Sequence, residues 1–233
     1  STRVLILRGE GREFSAGTDL QEGLILNSKK LPEGYDKFYY LNISEPIKRK
    51  IYHQWRITQI IMKMRKIPQP IIAVLQGAIA GGGFGFAMAA DIRFASEDAK
   101  FMNASINIGL SGADMGSSYF LPRLIGLSRA NEILYSGRTV SGKEAEKIGF
   151  VLRVVKKENL LDEAVKLAEE LLAKSPLGLR MTKEALNLSL DSPSLNNILQ
   201  FENSSIVLSF SSKDVNEAAN AFFAKRSPKY GLK

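Results

Sequence analysis

The sequence predicts a mixed α/β protein, with an α/β core over residues 1–158 and a helical region over 159–233. Two observations carry that reading. The stretch from Pro70 to Asp91 opens as a β-branched apolar run, Ile71-Ile72-Ala73-Val74-Leu75. It passes through Gln76-Gly77 to Gly81-Gly82-Gly83 and leaves as a small-residue helix, with no charged side chain between its ends. Beyond residue 158 the pattern changes to helices at roughly 160–174 and 176–190, another after Pro193, and a last one over 213–224.

Along the chain, Val4 to Leu7 reads as a short strand broken by Gly9-Glu10-Gly11. Phe14-Ser15-Ala16-Gly17-Thr18-Asp19-Leu20 is a small-residue turn in which Gly17 bends the chain and Asp19 starts a helix. Residues 23–45 are polar and irregular, with an aromatic cluster at Tyr35, Phe38, Tyr39 and Tyr40, and read as a long loop or broken helix. A helix spans 46–66. Ile47, Ile51, Trp55, Thr58, Ile61 or Met62, and Arg65 recur at three- and four-residue steps, and the basic face, read as solvated, carries Lys48, Arg49, Lys50, Arg56, Lys63, Arg65 and Lys66. His53 on this helix reads as a surface residue. Strands follow at 91–95 and 100–102, then a second small-residue loop, Ser111-Gly112-Ala113-Asp114-Met115-Gly116, and two short helices over 120–126 and 129–135. Ser141-Gly-Lys-Glu144 is a capping box opening a helix that Gly149 stops, and 150–155 reads as a strand.

Composition narrows the chemistry. The chain has 233 residues, an apolar fraction of 45%, no cysteine and one histidine, His53. Disulfides, zinc-thiolate sites and cysteine nucleophiles are excluded, and a Ser-His-Asp triad is disfavoured. The 70–91 stretch is interrupted by too many glycines for a membrane span, and no signal peptide is visible, so a cytoplasmic protein is expected. The net charge of +8 suits a polyanionic partner, whether nucleic acid or a small molecule bearing phosphates. A strand that feeds glycines at a helix N-terminus leaves backbone N–H groups free to meet an anion; tight helix–strand packing without a ligand explains the same glycines equally well.

The motifs F-S-A-G-T-D-L (14–20), P-Q-P-I-I-A-V-L-Q-G-A-I-A-G-G-G (68–83), A-A-D-I-R-F-A-S (89–96), L-P-R-L-I-G (121–126), G-K-E-A-E-K-I-G (142–149), M-T-K-E-A-L-N (181–187) and A-F-F-A-K-R-S-P-K-Y (221–230), in this order, resemble the enoyl-CoA hydratase/isomerase, or crotonase, superfamily over essentially the whole chain. The resemblance implies a spiral of ββα units with a C-terminal helical trimerisation region, and a homotrimer or dimer of trimers. It also implies an acyl-CoA thioester substrate, coenzyme A entering as part of that substrate with no separate cofactor and no metal. The family's first strands and helix, before the F-x-A-G-x-D segment, are missing, so the native N-terminus is expected to lie upstream.

By position, the resemblance assigns an oxyanion hole to the backbone N–H groups of Thr18 and Gly82. Substrate-binding positions are Ala16, Gly17, Asp19, Gly81, Gly83, Phe84 and Tyr119, with Trp55 a further candidate liner. The hydratases carry two glutamates where this chain has Gly85 and Ser105, and neither residue can move a proton as a carboxylate does. Asp114 falls at the aspartate used as a base by dienoyl-CoA isomerases and as a nucleophile by aryl-CoA dehalogenases. The base histidine of the dehalogenases has its place near Ile61, not His53. Asp114 is therefore the candidate acid/base, for an isomerase, hydrolase or non-standard hydratase or lyase step; as an alternative it caps the helix that follows. A second reading is a crotonase-fold binding protein without catalysis, with RNA as the candidate ligand of the basic helix 46–66. No recognised RNA motif supports it, and nucleic acid is not the expected partner.

Overall fold

The computed structural model describes residues 2–17, 44–192 and 194–231. Residues 23–43 of the expected 23–45 loop, and Thr18 and Asp19, therefore lie outside the described residues, whereas Glu45 already begins a helix. Strand β1 (Leu5–Arg8) is followed by the long helix α1 (Glu45–Lys66). Next come β2 (Ile71–Leu75), β3 (Ala78–Ala80) and helix α2 (Gly82–Ala89), then β4 (Ile92–Ser96) and β5 (Lys100–Met102). A 3-10 turn over Ala104–Ile108 leads to α3 (Ser117–Ile125) and α4 (Leu127–Ser136). Then follow β6 (Val140–Ser141), α5 (Gly142–Lys147) and β7 (Arg153–Val155). The chain ends in α6 (Leu160–Leu172), α7 (Pro176–Asp191), α8 (Leu195–Phe210) and α9 (Lys213–Phe223).

Each turn of the chain gives one strand to each of two sheets. β1, β2, β4 and β7 form a parallel sheet in that order, with Ile72 opposite Ile6 and Ile92. Segment 14–16, β3, β5 and β6 build the second: Ser15 bridges Ile79 in parallel, and Ile79 pairs with Phe101. Gln76 and Gly77 carry β2 across to β3. The Gln76 side chain secures that crossing by donating from Nε2 to the Gly9 and Gly11 carbonyls at 2.8 and 3.2 Å.

β2 is buried along its whole length, as parallel strands covered on both faces are. One face meets Phe84, Met88, Phe101 and Phe150; the other meets α6 through Leu160, Ala164 and Ala168. Ser141 accepts from the Glu144 amide at 3.2 Å, so the N-cap half of the capping box forms, while the Glu144 carboxylate pairs with Arg138 instead of reaching back, and Gly149 takes φ +83° where α5 has ended. The last strand is shorter than expected. The Phe150 and Val151 amides turn back to Ala145, and the Phe150 carbonyl accepts from Arg93, so ladder pairing begins only at Arg153.

The long helix α1 keeps the second half of its expected repeat, with Trp55, Thr58 and Arg65 half-buried, but not the first. Tyr52 and Ile61 are buried and Ile57 and Met64 pack on the core, whereas Ile47, Ile51 and Met62 are exposed. Arg65 does not belong to the solvated basic face. Its guanidinium reaches the Ala89 carbonyl and the Asp91 carboxylate, both at 3.2 Å, touches Asn187 Oδ1 and lies over the Phe120 ring. Asp91 in turn accepts from Lys183 Nζ and from the Ile71 amide, each at 2.8 Å. Lys183, 7% exposed, also donates to the Met64 and Gln69 carbonyls. Burial pulls its ammonium below the usual lysine range, against the opposing pull of Asp91. This cluster ties α1, β2, the end of α2 and α7 into one body.

Candidate active site

Two glycine loops meet at the open end of α2. Segment 14–16 runs beside β3, held by Ser15 N–H to the Ala78 carbonyl (3.0 Å) and Ala80 N–H to the Ser15 carbonyl (2.9 Å). Both strands then turn at glycines with positive φ, Gly17 at +93° and Gly81 at +50°. The turns are in contact: a Cβ added to Gly81 would lie 3.5 Å from the Gly17 Cα, and one on Gly17 would lie 3.5 Å from the Ala80 carbonyl oxygen. Gly83 is bare for a steric reason, since a Cβ there would fall 2.4 Å from the Ser15 Cβ.

Gly81 spends its amide on the Met102 carbonyl at 3.2 Å, and its carbonyl accepts from Phe84 and Gly85. Among the described residues, the amides of Gly82 and Gly83, the first two of α2, have no hydrogen-bond partner. They are orphan donors at the positive end of a helix dipole. The opposite end of α2 is closed by Arg93, 9% exposed, which donates to the Ala90 carbonyl at 2.7 Å and the Ala87 carbonyl at 3.4 Å. Burial, ahead of the neighbouring Arg65 charge, lowers the Arg93 guanidinium to about 10.

The loop bearing Asp114 lies against the first turn of α2. Met115, 4% exposed, adopts φ +50°, a conformation that a non-glycine residue holds only when its surroundings enforce it. Its side chain approaches Gly82, and its Cβ would be 2.5 Å from a Cβ placed on Gly85. Ile61 Cδ1 closes the same space at 3.3 Å. The position where hydratases carry their first glutamate is thus filled by methionine, with a carboxylate one residue earlier on the same loop. A buried knot holds this loop: Asn103 Nδ2 donates to the Gly112 carbonyl at 2.7 Å, and the Ser117 hydroxyl donates to that carbonyl while accepting from the Asp114 amide at 3.0 Å.

Asp114 is half-buried. Its Oδ1 accepts from the Met115 amide at 2.7 Å and from Gln54 Nε2 of α1. It does not serve as a side-chain cap of the following helix: α3 has Gly116 at its N-cap and receives no side-chain bond there. Gln54 was not singled out by sequence, because an exposed glutamine on a polar helix face carries no local signal of a partner sixty positions away.

The remaining candidates are dispersed. Ala16 is exposed beside Gly17, and Ser105, half-buried, lies in the 3-10 turn with its carbonyl accepting from Leu110. Phe84 stands inside the core, 5.3 Å from the Phe150 ring centre. Tyr119 donates its hydroxyl to Asp191 at 2.8 Å, with Arg123 over its ring at 3.9 Å, so it braces α3 against the end of α7. Trp55 packs against Tyr52, and His53 is half-buried with Nε2 unpaired among the described residues. A cavity of about 720 Å³ opens elsewhere, between Arg3, Pro70, Arg180 and Lys213, and shares no residue with the glycine loops. Among the described residues no cluster of His, Cys, Asp and Glu could hold a metal, and no helix is long and apolar enough to cross a membrane.

The contact between Met115 and Gly85 sets a limit on substitution. Gly85→Glu, which returns a glutamate to the hydratase position, should not create hydratase activity. It should instead destabilise the fold by about 3 kcal/mol or more, because the side chain must displace Met115 and Ile61 from a filled space. Thermal unfolding together with a crotonyl-CoA hydration assay reads both; a well-folded variant that hydrates crotonyl-CoA contradicts the packing argument.

The sequence profile described as enoyl-CoA hydratase/isomerase matches residues 1–233. A probable enoyl-CoA hydratase of Mycobacterium tuberculosis is 40% identical over 203 residues, covering 87% of this chain and 67% of the relative. The 1,2-epoxyphenylacetyl-CoA isomerase of Escherichia coli is 32% identical over 231 residues, 98% of this chain and 80% of that protein. Among solved structures, an enoyl-CoA hydratase from Bacillus anthracis superposes with a TM-score of 0.85 at 32% identity, covering 98% of this chain and 81% of the other.

Proposed function

The chain belongs to the enoyl-CoA hydratase/isomerase family, and within it we propose an acyl-CoA enzyme that works through a thioester enolate with Asp114 as its single acid/base. The thioester carbonyl oxygen is received by the backbone N–H groups of Thr18 and Gly82. The Asp114 carboxylate removes a proton from the carbon next to the carbonyl. The electron pair of that C–H bond becomes the new carbon–carbon double bond, and the carbonyl oxygen takes the negative charge. The Asp114 carboxylic acid, which exchanges its proton with water, then delivers a proton either back to the α-carbon or to another carbon of the conjugated system, and the second outcome completes an isomerisation with no co-reactant. Hydration needs a second group to activate water, and the two positions that carry it in hydratases are Gly85 and Ser105 here.

The observation that carries this reading is the convergence of three features. Gly17 and Gly81 touch, the Gly82 amide is an unspent helix-terminal donor, and the loop of Asp114 packs on the same helix turn. A preorganised backbone donor is typically worth about 2.7–4 kcal/mol in the transition state, irrespective of side chain, so a threonine at position 18 is compatible. A single base that takes one proton and gives one back also matches relatives named as isomerases, the Escherichia coli protein above and a Delta(3,5)-Delta(2,4)-dienoyl-CoA isomerase of Arabidopsis thaliana. Exposed apolar side chains on α8 and α9, among them Leu195, Ile206, Phe210 and Phe222, support assembly into trimers or dimers of trimers.

The test uses trans-3-hexenoyl-CoA in deuterium oxide, with product composition and deuterium content read by mass spectrometry. Saturable deuterium incorporation is expected, at the α-carbon of returned substrate or at the γ-carbon of product in which the double bond has moved. No incorporation above the uncatalysed background overturns the enolate mechanism.

A further inference from the structure

The mechanism above needs one oxygen of Asp114 to face the substrate and stay there. Nothing in the loop itself guarantees that, since a free carboxylate turns readily about χ2. Two donors converge on the same oxygen: the Met115 amide and Gln54 Nε2 both meet Oδ1, while Oδ2 has no partner among the described residues. The first donor is local and moves with the loop. The second comes from α1, a separate element seated in the core by Tyr52 and Ile61 and tied by Arg65 to Asp91 at its other end.

We infer that Gln54 is a positioning residue: its side-chain amide pins Oδ1 of Asp114 and so presents Oδ2 as the atom that takes and returns the proton. The inference rests on the proposed role of Asp114 and adds how α1 takes part in it. Gln54 touches no reacting atom. It acts through the carboxylate, and its amide keeps a hydrogen-bond donor on Oδ1 whether Oδ2 is bare or carries the proton. The geometry also accounts for the register of α1, which places a polar residue toward the Asp114 loop two turns before the buried Ile61.

The assay is the same deuterium incorporation from solvent into trans-3-hexenoyl-CoA, run on wild type, Gln54→Leu, Gln54→Lys and Asp114→Asn. Gln54→Leu keeps the bulk and removes the donor; misplacing a reacting group by about 1 Å can cost on the order of 100-fold. A fall in kcat of about 10-fold or more is expected for Gln54→Leu, with KM within about 2-fold and an unchanged melting temperature. Gln54→Lys restores a donor of similar reach and should recover most of the rate. Rescue separates positioning from packing, because a merely structural glutamine is not replaced by a lysine with return of kcat alone. Equal kcat in wild type and Gln54→Leu, or no recovery with Gln54→Lys, overturns the inference while the loss in Asp114→Asn leaves the parent mechanism standing. Full activity in Asp114→Asn overturns both.

Discussion

Asp114→Asn should lose proton transfer by roughly 100- to 10,000-fold while still binding coenzyme A esters with nearly unchanged affinity. The amide is the same size, and its carbonyl oxygen can keep both donors now on Oδ1, from Met115 and Gln54. What it cannot do is accept a proton at the free position. Binding should survive because in the proposed mechanism the carbonyl meets backbone amides, whose donor strength does not depend on residue 114. The pair of measurements is deuterium incorporation at the α-carbon and calorimetric titration with a saturated acyl-CoA. Loss of both together points to a collapsed loop, with the Asn103–Gly112–Ser117 knot broken. Retention of both removes Asp114 from the chemistry.

Asp91→Ala should be the most destabilising of the polar substitutions. Its carboxylate stands between Lys183, Arg65 and the Ile71 amide, with Lys183 7% and Asp91 19% exposed. Deleting one partner of a buried pair typically costs 3–5 kcal/mol, about 10 °C in melting temperature for a chain of this size, because the stranded charge keeps its desolvation penalty. Lys183 is left with two carbonyls and no counter-charge. The double replacement Asp91→Leu with Lys183→Met should recover much of that loss, since it removes both charges rather than orphaning one. Strictly additive losses in the double-mutant cycle contradict this account.

Those two aspartates show what a single sequence discloses. The β2–α2 stretch was legible because an uncharged β-branched run has few places to go except between two covered faces, and because glycine has a specific steric use at Gly81 and Gly83. The helix cap at Ser141 was legible because its partner amide is three residues away. Pairs separated by long stretches of chain were not: Gln54 with Asp114, Lys183 with Asp91, and Arg65 with Asn187 join residues whose neighbours in sequence reveal nothing of the partner. Arg65 falls both in the periodic repeat of α1 and among its basic residues, and sequence alone does not choose between the two for that reason. The first half of the α1 face was misjudged because apolar residues occur on two sides of the helix, and periodicity alone does not say which side meets the core. Met115 is a different case. Its left-handed backbone is imposed from outside, by the Asn103–Gly112–Ser117 knot and the wall of α2, and methionine carries no preference that would announce it.

Arg93 gives the short helix α2 an asymmetry with mechanical meaning. A buried guanidinium grips the carbonyls at the far end, so the eight-residue rod cannot slide along its axis without breaking those bonds. At the near end, by contrast, the Gly82 and Gly83 amides have no hydrogen-bond partner among the described residues. Where the Gly82 N–H vector points is consequently set from the interior outward, and a change in the packing around Arg93 or Phe150 would shift the reach of that vector with no alteration to any atom a ligand meets.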